Sequence, residues 1–161
     1  MNADRWPQLA PLRWFDIPEL LPIEAELFGN EQWSAAMFWS ELAAAAQYDT
    51  RWYRVARDDA GTMLGYVGLC AYGDGQAWLQ TLAVRRDAQR RGIGRGLLFA
   101  ALRRGNELGA TSMALEVRAD NAAARRLYAA HHFEVIGVRP GYYQPSGADA
   151  LVMAAQLYTA N

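Results

Sequence analysis

Gln89-Arg90-Arg91-Gly92-Ile93-Gly94-Arg95-Gly96 is the stretch on which the reading of this chain turns. The residues before it, Ala77 to Val84, read as an extended segment. Those after it, Arg95 to Leu108, read as an amphipathic helix with Leu97, Leu98, Ala101, Leu102 and Leu108 inward and Gly109 closing it. A strand that turns into a helix through two glycines brings backbone close to whatever lies there, and the helix start offers unpaired N–H groups and a positive dipole end. These are the requirements of a diphosphate cradle. From Arg85 to Arg104 the chain carries seven arginines and one acid, Asp87, a formal +6. Glycines before a helix can also be a plain tight turn, and an arginine-rich helix a solvated face. The combination favours an anionic ligand.

Upstream, Asp16 to Phe28 repeats apolar residues at helical spacing, with Asp16 as N-cap and Pro18 tolerated in the first turn. Ser34 caps a second helix to about Gln47, which leaves Gly29 to Trp33 as a loop. Trp52–Arg57, Met63–Ala71 and Ala77–Val84, parted by Asp58-Asp59-Ala60-Gly61 and Gly73-Asp74-Gly75, predict an antiparallel meander. Downstream come a strand at Ser112–Val117, a helix from about Asn121 to His131, and strands at Phe133–Arg139 and about Ala150–Leu157. This order predicts a single domain over residues 1–161, a mixed α/β or α+β sheet with helices packed across it. The antiparallel meander argues against a dinucleotide-binding fold of repeated parallel units.

All sixteen basic residues among the 161 are arginine, so lysine chemistry is excluded, including a Schiff base or a P-loop. With seventeen acids the formal net charge is −1, which implies no attraction of the whole molecule to nucleic acid or to an anionic membrane. Cys70 is the single cysteine and reads as core; it can form no internal disulfide and suits a reducing compartment. Met1 to Pro11 lacks the apolar stretch of a signal peptide and no apolar run reaches membrane-span length, so a soluble, cytoplasmic protein is expected. His131 and His132 read as surface residues at a helix end, and no metal is expected.

Gln89-Arg90-Arg91-Gly92-Ile93-Gly94 resembles the Q/R-x-x-G-x-G/A signature of the GNAT N-acetyltransferases, and the likeness extends over nearly the whole chain, element order included. The resemblance implies acetyl-CoA as co-substrate and a mostly antiparallel sheet splayed where acetyl-pantetheine lies. By that likeness the backbone of Leu82, Ala83 and Val84 pairs with pantetheine. Arg90, Arg91, Gly92, Ile93, Gly94 and Arg95 would cradle the pyrophosphate.

Leu115-Glu116-Val117-Arg118-Ala119-Asp120-Asn121-Ala122-Ala123-Ala124-Arg125-Arg126-Leu127-Tyr128 is similar to the L-E-V-R-x-x-N-x-x-A-x-x-L-Y segment of the RimI-type members, which acetylate the N-terminal alanine of ribosomal protein S18. The likeness implies Glu116 as general base, Asn121 as a CoA contact and Tyr128 as general acid. Read alone, Glu116 is equally an outward residue of an alternating strand, Tyr128 a helix aromatic and Asn121 an N-cap. The implied partner is a protein N-terminus, S18 foremost. A small amine or a lysine side chain as acceptor, or a non-catalytic acyl-CoA-binding module, are the alternatives.

The loop from Phe28 to Ser34 and the tail Gly141-Tyr142-Tyr143-Gln144-Pro145 resemble regions that line the acceptor channel, which singles out Phe28, Trp33, Tyr142 and Tyr143. Gly147-Ala148-Asp149-Ala150-Leu151-Val152-Met153 is similar to a G-x-E-D-A-x-x-M ending and adds Asp149, with Ala148 where an acid is common. His132 stands where glycine is usual, and a different turn is expected there. Trp33, Phe38 and Trp39 read as packing first and substrate wall second.

Overall fold

The computed structural model describes residues 7–158. The expectation about the leader segment therefore lies partly outside the described residues. Seven strands form one sheet in the order β1-β2-β3-β4-β5-β7-β6. The meander is present as β2 (Arg51–Arg57), β3 (Met63–Ala71) and β4 (Gln76–Val84), all antiparallel. Its first turn is held by the Asp58 carboxylate, which accepts from the N–H groups of Ala60 at 3.0 Å and Thr62 at 2.8 Å.

From β4 the chain crosses through α3 (Ile93–Glu107) to β5 (Ser112–Arg118), the one parallel neighbour of β4. It then passes through α4 (Ala122–Ala129) to the hairpin of β6 (Glu134–Tyr143) and β7 (Ala148–Gln156), with β7 inserted between β5 and β6. α3 and α4 cover one face of the sheet, burying Leu97, Leu98, Ala101 and Tyr128 against Leu79, Leu115 and Val117. α1 (Ile17–Phe28) and α2 (Ala35–Gln47) cover the other, with Ile17, Leu20, Ile23 and Phe38 packed on Tyr53, Val55 and Tyr66.

The helix caps divide. Ser34 Oγ accepts from the Met37 N–H at 3.3 Å as expected. Asp16 lies at the start of α1 but caps nothing there. Its carboxylate accepts from the Arg13 N–H at 2.7 Å and pairs with Arg57 at 2.6 Å, tying the helix entry to β2.

Several expectations are corrected. β1 (Leu9–Pro11) was not foreseen, because a three-residue edge strand is too short to show alternation; it pairs with β2 at Leu9↔Ala56. The Gly29–Trp33 loop contains a 3-10 turn, Gly29–Glu31. The helix begun at Asn121 stops at Ala129, short of His131. The Tyr142-Tyr143 pair belongs to β6, an edge strand with both faces largely exposed. His132 takes the left-handed conformation, at φ +64°, a backbone that glycine adopts more readily than other residues.

Candidate active site

The turn before α3 is built from two left-handed residues, Arg90 at φ +59° and Gly92 at φ +82°. The Gln89 side chain donates to the Val84 carbonyl at 3.0 Å and stitches the loop to the end of β4. Helical bonding starts only with the Gly96 N–H on the Gly92 carbonyl at 3.0 Å, so the N–H groups of Ile93, Gly94 and Arg95 have no backbone partner among the described residues. Ile93 itself is buried and contributes only its backbone. A Cβ on Gly94 would meet no protein atom closer than 3.5 Å, so packing does not demand glycine there, and its absence leaves room for a ligand to approach the backbone.

The charge of this segment is more dispersed than its composition implies. Arg85 pairs with Asp87, Arg86 with Glu26, Arg103 with Glu107, and Arg104 with Asp49 and Glu107. Arg91 donates to the Asp87 carbonyl at 2.9 Å. Arg90 and Arg95 carry no ion pair among the described residues and stand at the turn. The candidate anion site is therefore three helix-start amides and two or three guanidiniums, not seven.

Beside this turn the sheet opens. β4 and β5 pair from Gln76↔Ser112 to Leu79↔Leu115 and then part, which leaves the segment Leu82, Ala83 and Val84 without a strand partner on the β5 side, the Val84 carbonyl being taken by the Gln89 side chain. A cavity of about 180 Å³ lies at the split. One side is lined by Asn121, Ala124 and Tyr128 from α4, the other by Glu24, Phe28, Glu31 and Trp33 from α1 and the loop after it. The cavity thus runs through the sheet. An open strand edge and helix-start amides suit the amide-rich arm and the pyrophosphate of acetyl-CoA, so the residues present fit that group.

Into this space come Glu116, Tyr128, Asn121, Leu82, Phe28, Trp33 and Tyr143 of the residues singled out from sequence. Glu116 is partly buried and pairs with Arg139 of β6 at 3.2 Å. Tyr128 is buried, its ring 5.7 Å from that of Phe133, and burial raises its phenol well above the ordinary value. Its hydroxyl has no hydrogen-bond partner among the described residues. Burial, then the Glu116 and Glu31 carboxylates, push Tyr143 up to about 12. Asn121 Oδ1 accepts from the Ala124 N–H at 3.1 Å, so it caps α4 while standing at the cavity.

Other residues fall elsewhere. Ala83 and Val84 are buried in the two cores, leaving only their backbone toward the gap. Tyr142 is exposed, under the Arg139 guanidinium, and Asp149 accepts from the Gly141 N–H at 2.9 Å inside the β6–β7 hairpin. Neither lines the cavity. Of the aromatic cluster, Trp33 lines it, Phe38 is core, and Trp39 is half exposed and stacks on Trp14.

Three charged lining residues were not singled out from sequence. Glu24 is buried and accepts from the Tyr66 hydroxyl at 2.7 Å and the Trp33 N–H at 3.0 Å; burial raises its carboxyl above the usual range. A carboxylate on the inward face with Ile17 and Leu20 was a visible signal. Glu31 and Arg118 form an ion pair that lines the cavity and also engages Ser146 between β6 and β7. Their pairing across 87 residues leaves no local trace. No helix among the described residues is long and apolar enough to cross a membrane.

Residues 8–133 match the acetyltransferase (GNAT) family. The chain is 38% identical over 160 residues to the N-alpha-acetyltransferase RimI of Mycobacterium tuberculosis, with 95% of each chain covered. It is 39% identical to an uncharacterized Mycobacterium leprae protein, of whose longer chain it spans 42%. The crystal structure of the ribosomal-protein-S18-alanine N-acetyltransferase from Escherichia coli superposes with a TM-score of 0.81 at 29% identity, covering 96% of both chains. A splayed mixed sheet, a glycine-arginine turn at the split and these likenesses converge: the chain belongs to the GNAT family of acetyl-CoA-dependent N-acetyltransferases.

Proposed function

We propose that the chain acetylates the α-amine of protein N-termini, with the N-terminal alanine of ribosomal protein S18 as its best single acceptor. The observation that carries this reading is the cavity at the β4–β5 split, which Glu116 and Tyr128 line from different elements. The likenesses to enzymes named for N-alpha and S18-alanine acetylation support the acceptor class.

Acetyl-CoA supplies the thioester, its pyrophosphate held by the amides of Ile93, Gly94 and Arg95 with Arg90, Arg91 and Arg95, and its pantetheine by the open backbone of Leu82, Ala83 and Val84. Asn121 adds a contact at the start of α4. Glu116 takes a proton from the incoming ammonium, directly or through water, so that the nitrogen lone pair can attack the thioester carbonyl. When the C–S bond breaks, Tyr128 gives its hydroxyl proton to the departing sulfur, and the second proton leaving the acylated nitrogen returns to the Tyr128 phenolate, directly or through water, so that the amide and the thiol of CoA are both neutral. Phe28, Trp33 and Tyr143 wall the acceptor, and Tyr142 and Asp149 shape the hairpin beside it.

A carboxylate base suits an α-amine. The α-ammonium titrates near 8 and a lysine near 10.4, so roughly a hundredfold more of the α-amine is neutral at pH 7. The test is incubation with acetyl-CoA and N-terminal peptides, that of S18 included, with mass spectrometry locating the acetyl group. Acetylation at the α-nitrogen is expected; modification of lysine side chains alone overturns the reading.

A further inference from the structure

Gln80 occupies an irregular position in β4. Gly68 of β3 pairs with Thr81 and Leu69 with Leu79, so Gln80 is skipped by the ladder and forms a bulge. On the other side, Leu79↔Leu115 is the last pair between β4 and β5, which makes Gln80 and Glu116 the first residues past the split, opposite each other at its mouth. Both line the cavity.

The Gln80 amide is fixed from behind. The Tyr53 hydroxyl stands 2.5 Å from Gln80 Oε1 and 3.2 Å from Glu41 Oε2, and Glu41 is held in turn by Arg51 at 2.9 Å. Burial and the Glu41 carboxylate raise the Tyr53 phenol, so it keeps its proton. To reach from β2 to β4 the Tyr53 ring must lie across β3. A Cβ on Gly68 would come within 2.0 Å of Tyr53 Cε1, so glycine there is what lets the ring cross. With Oε1 taken, Gln80 Nε2 has no partner among the described residues.

We propose that Gln80 binds the acceptor by donating from Nε2 to the carbonyl of its first residue, with Tyr53 as the positioning residue that fixes the amide. The inference rests on the acetyl transfer proposed above. An α-amine at Glu116 carries its carbonyl two bonds from the nitrogen, and Gln80 is the group across the gap at that reach. The contact favours peptides over simple amines, which have no carbonyl to offer.

The test compares an alanine-initiated peptide with its analogue in which the first carbonyl is replaced by methylene, by initial rates. Gln80→Leu is expected to raise the peptide KM about tenfold, as loss of one well-placed hydrogen bond would. It should leave acetyl-CoA affinity by titration calorimetry unchanged and abolish the preference for the carbonyl-bearing acceptor. Tyr53→Phe should act in the same direction, more weakly, and add nothing in the Gln80→Leu background. Gln80→Glu, which keeps the size but cannot donate when ionised, should reproduce Gln80→Leu and covers a folding defect in the latter. An unchanged KM and unchanged carbonyl preference in both Gln80 variants overturns the assignment. Failure of the underlying reading looks different: the unaltered protein would acetylate no peptide α-amine, and the role of Gln80 would fall with it.

Discussion

Glu116 and Tyr128 come to one cavity from a strand and a helix, and in the proposed mechanism their chemistry is separate from cofactor binding, which there rests on backbone and arginines elsewhere. Glu116→Gln and Tyr128→Phe are each expected to lower the acetylation rate by about 10²- to 10⁴-fold, the usual worth of a positioned acid or base. Acetyl-CoA affinity by calorimetry should hardly change. Glu24 gives a prediction of a different kind. Its folded-state pKa is raised by burial, so the unfolded chain loses this proton first and stability declines as pH rises through the folded value. Denaturant melts of the Glu24→Gln variant and the unaltered protein should therefore shift in favour of the variant between acid and neutral pH. These residues also mark what sequence could reveal. Glu116, Asn121 and Tyr128 stand in one ungapped stretch, so they were legible together as candidates, and all three line one cavity. Arg139 against Glu116, Arg118 against Glu31 and Tyr53 behind Gln80 depend on pairings between distant strands and loops, which no local pattern encodes.

Among the elements, α4 begins at Asn121, which caps it and also lines the cavity. Asn121→Ala removes the oxygen that accepts from the Ala124 N–H and should cost about 1 kcal/mol by denaturant melting, with weaker acetyl-CoA binding beside it. The meander, α2 and α3 were legible because glycine and aspartate turns, a serine cap and apolar periodicity all agree. β1 was not, being three residues long, and the extension of β6 through Tyr143 was not, because an edge strand exposed on both faces loses its alternation. The split between β4 and β5 was legible only through family likeness: nothing in Leu79 or Leu115 alone says that pairing ends there.

For the whole molecule, a net charge of −1 built with sixteen arginines and no lysine sets up a check that needs no partner. None of these 161 residues offers a side-chain amine, so within them self-N-acetylation is confined to a free α-amine; after long incubation with acetyl-CoA, intact-mass and peptide mapping should find no acetyl group on an internal side-chain nitrogen. The through-sheet cavity reaches further, into the order of events. Its lining contains no cysteine, serine or lysine to carry an acyl group, and Cys70 is buried in β3 outside it. Under the proposed function, donor and acceptor arrive from opposite faces and are present together, neither blocking the other's exit. Double-reciprocal rate plots at several fixed acetyl-CoA concentrations should therefore intersect, as for a ternary complex; parallel lines would demand an acyl-enzyme for which this cavity offers no cysteine, serine or lysine nucleophile.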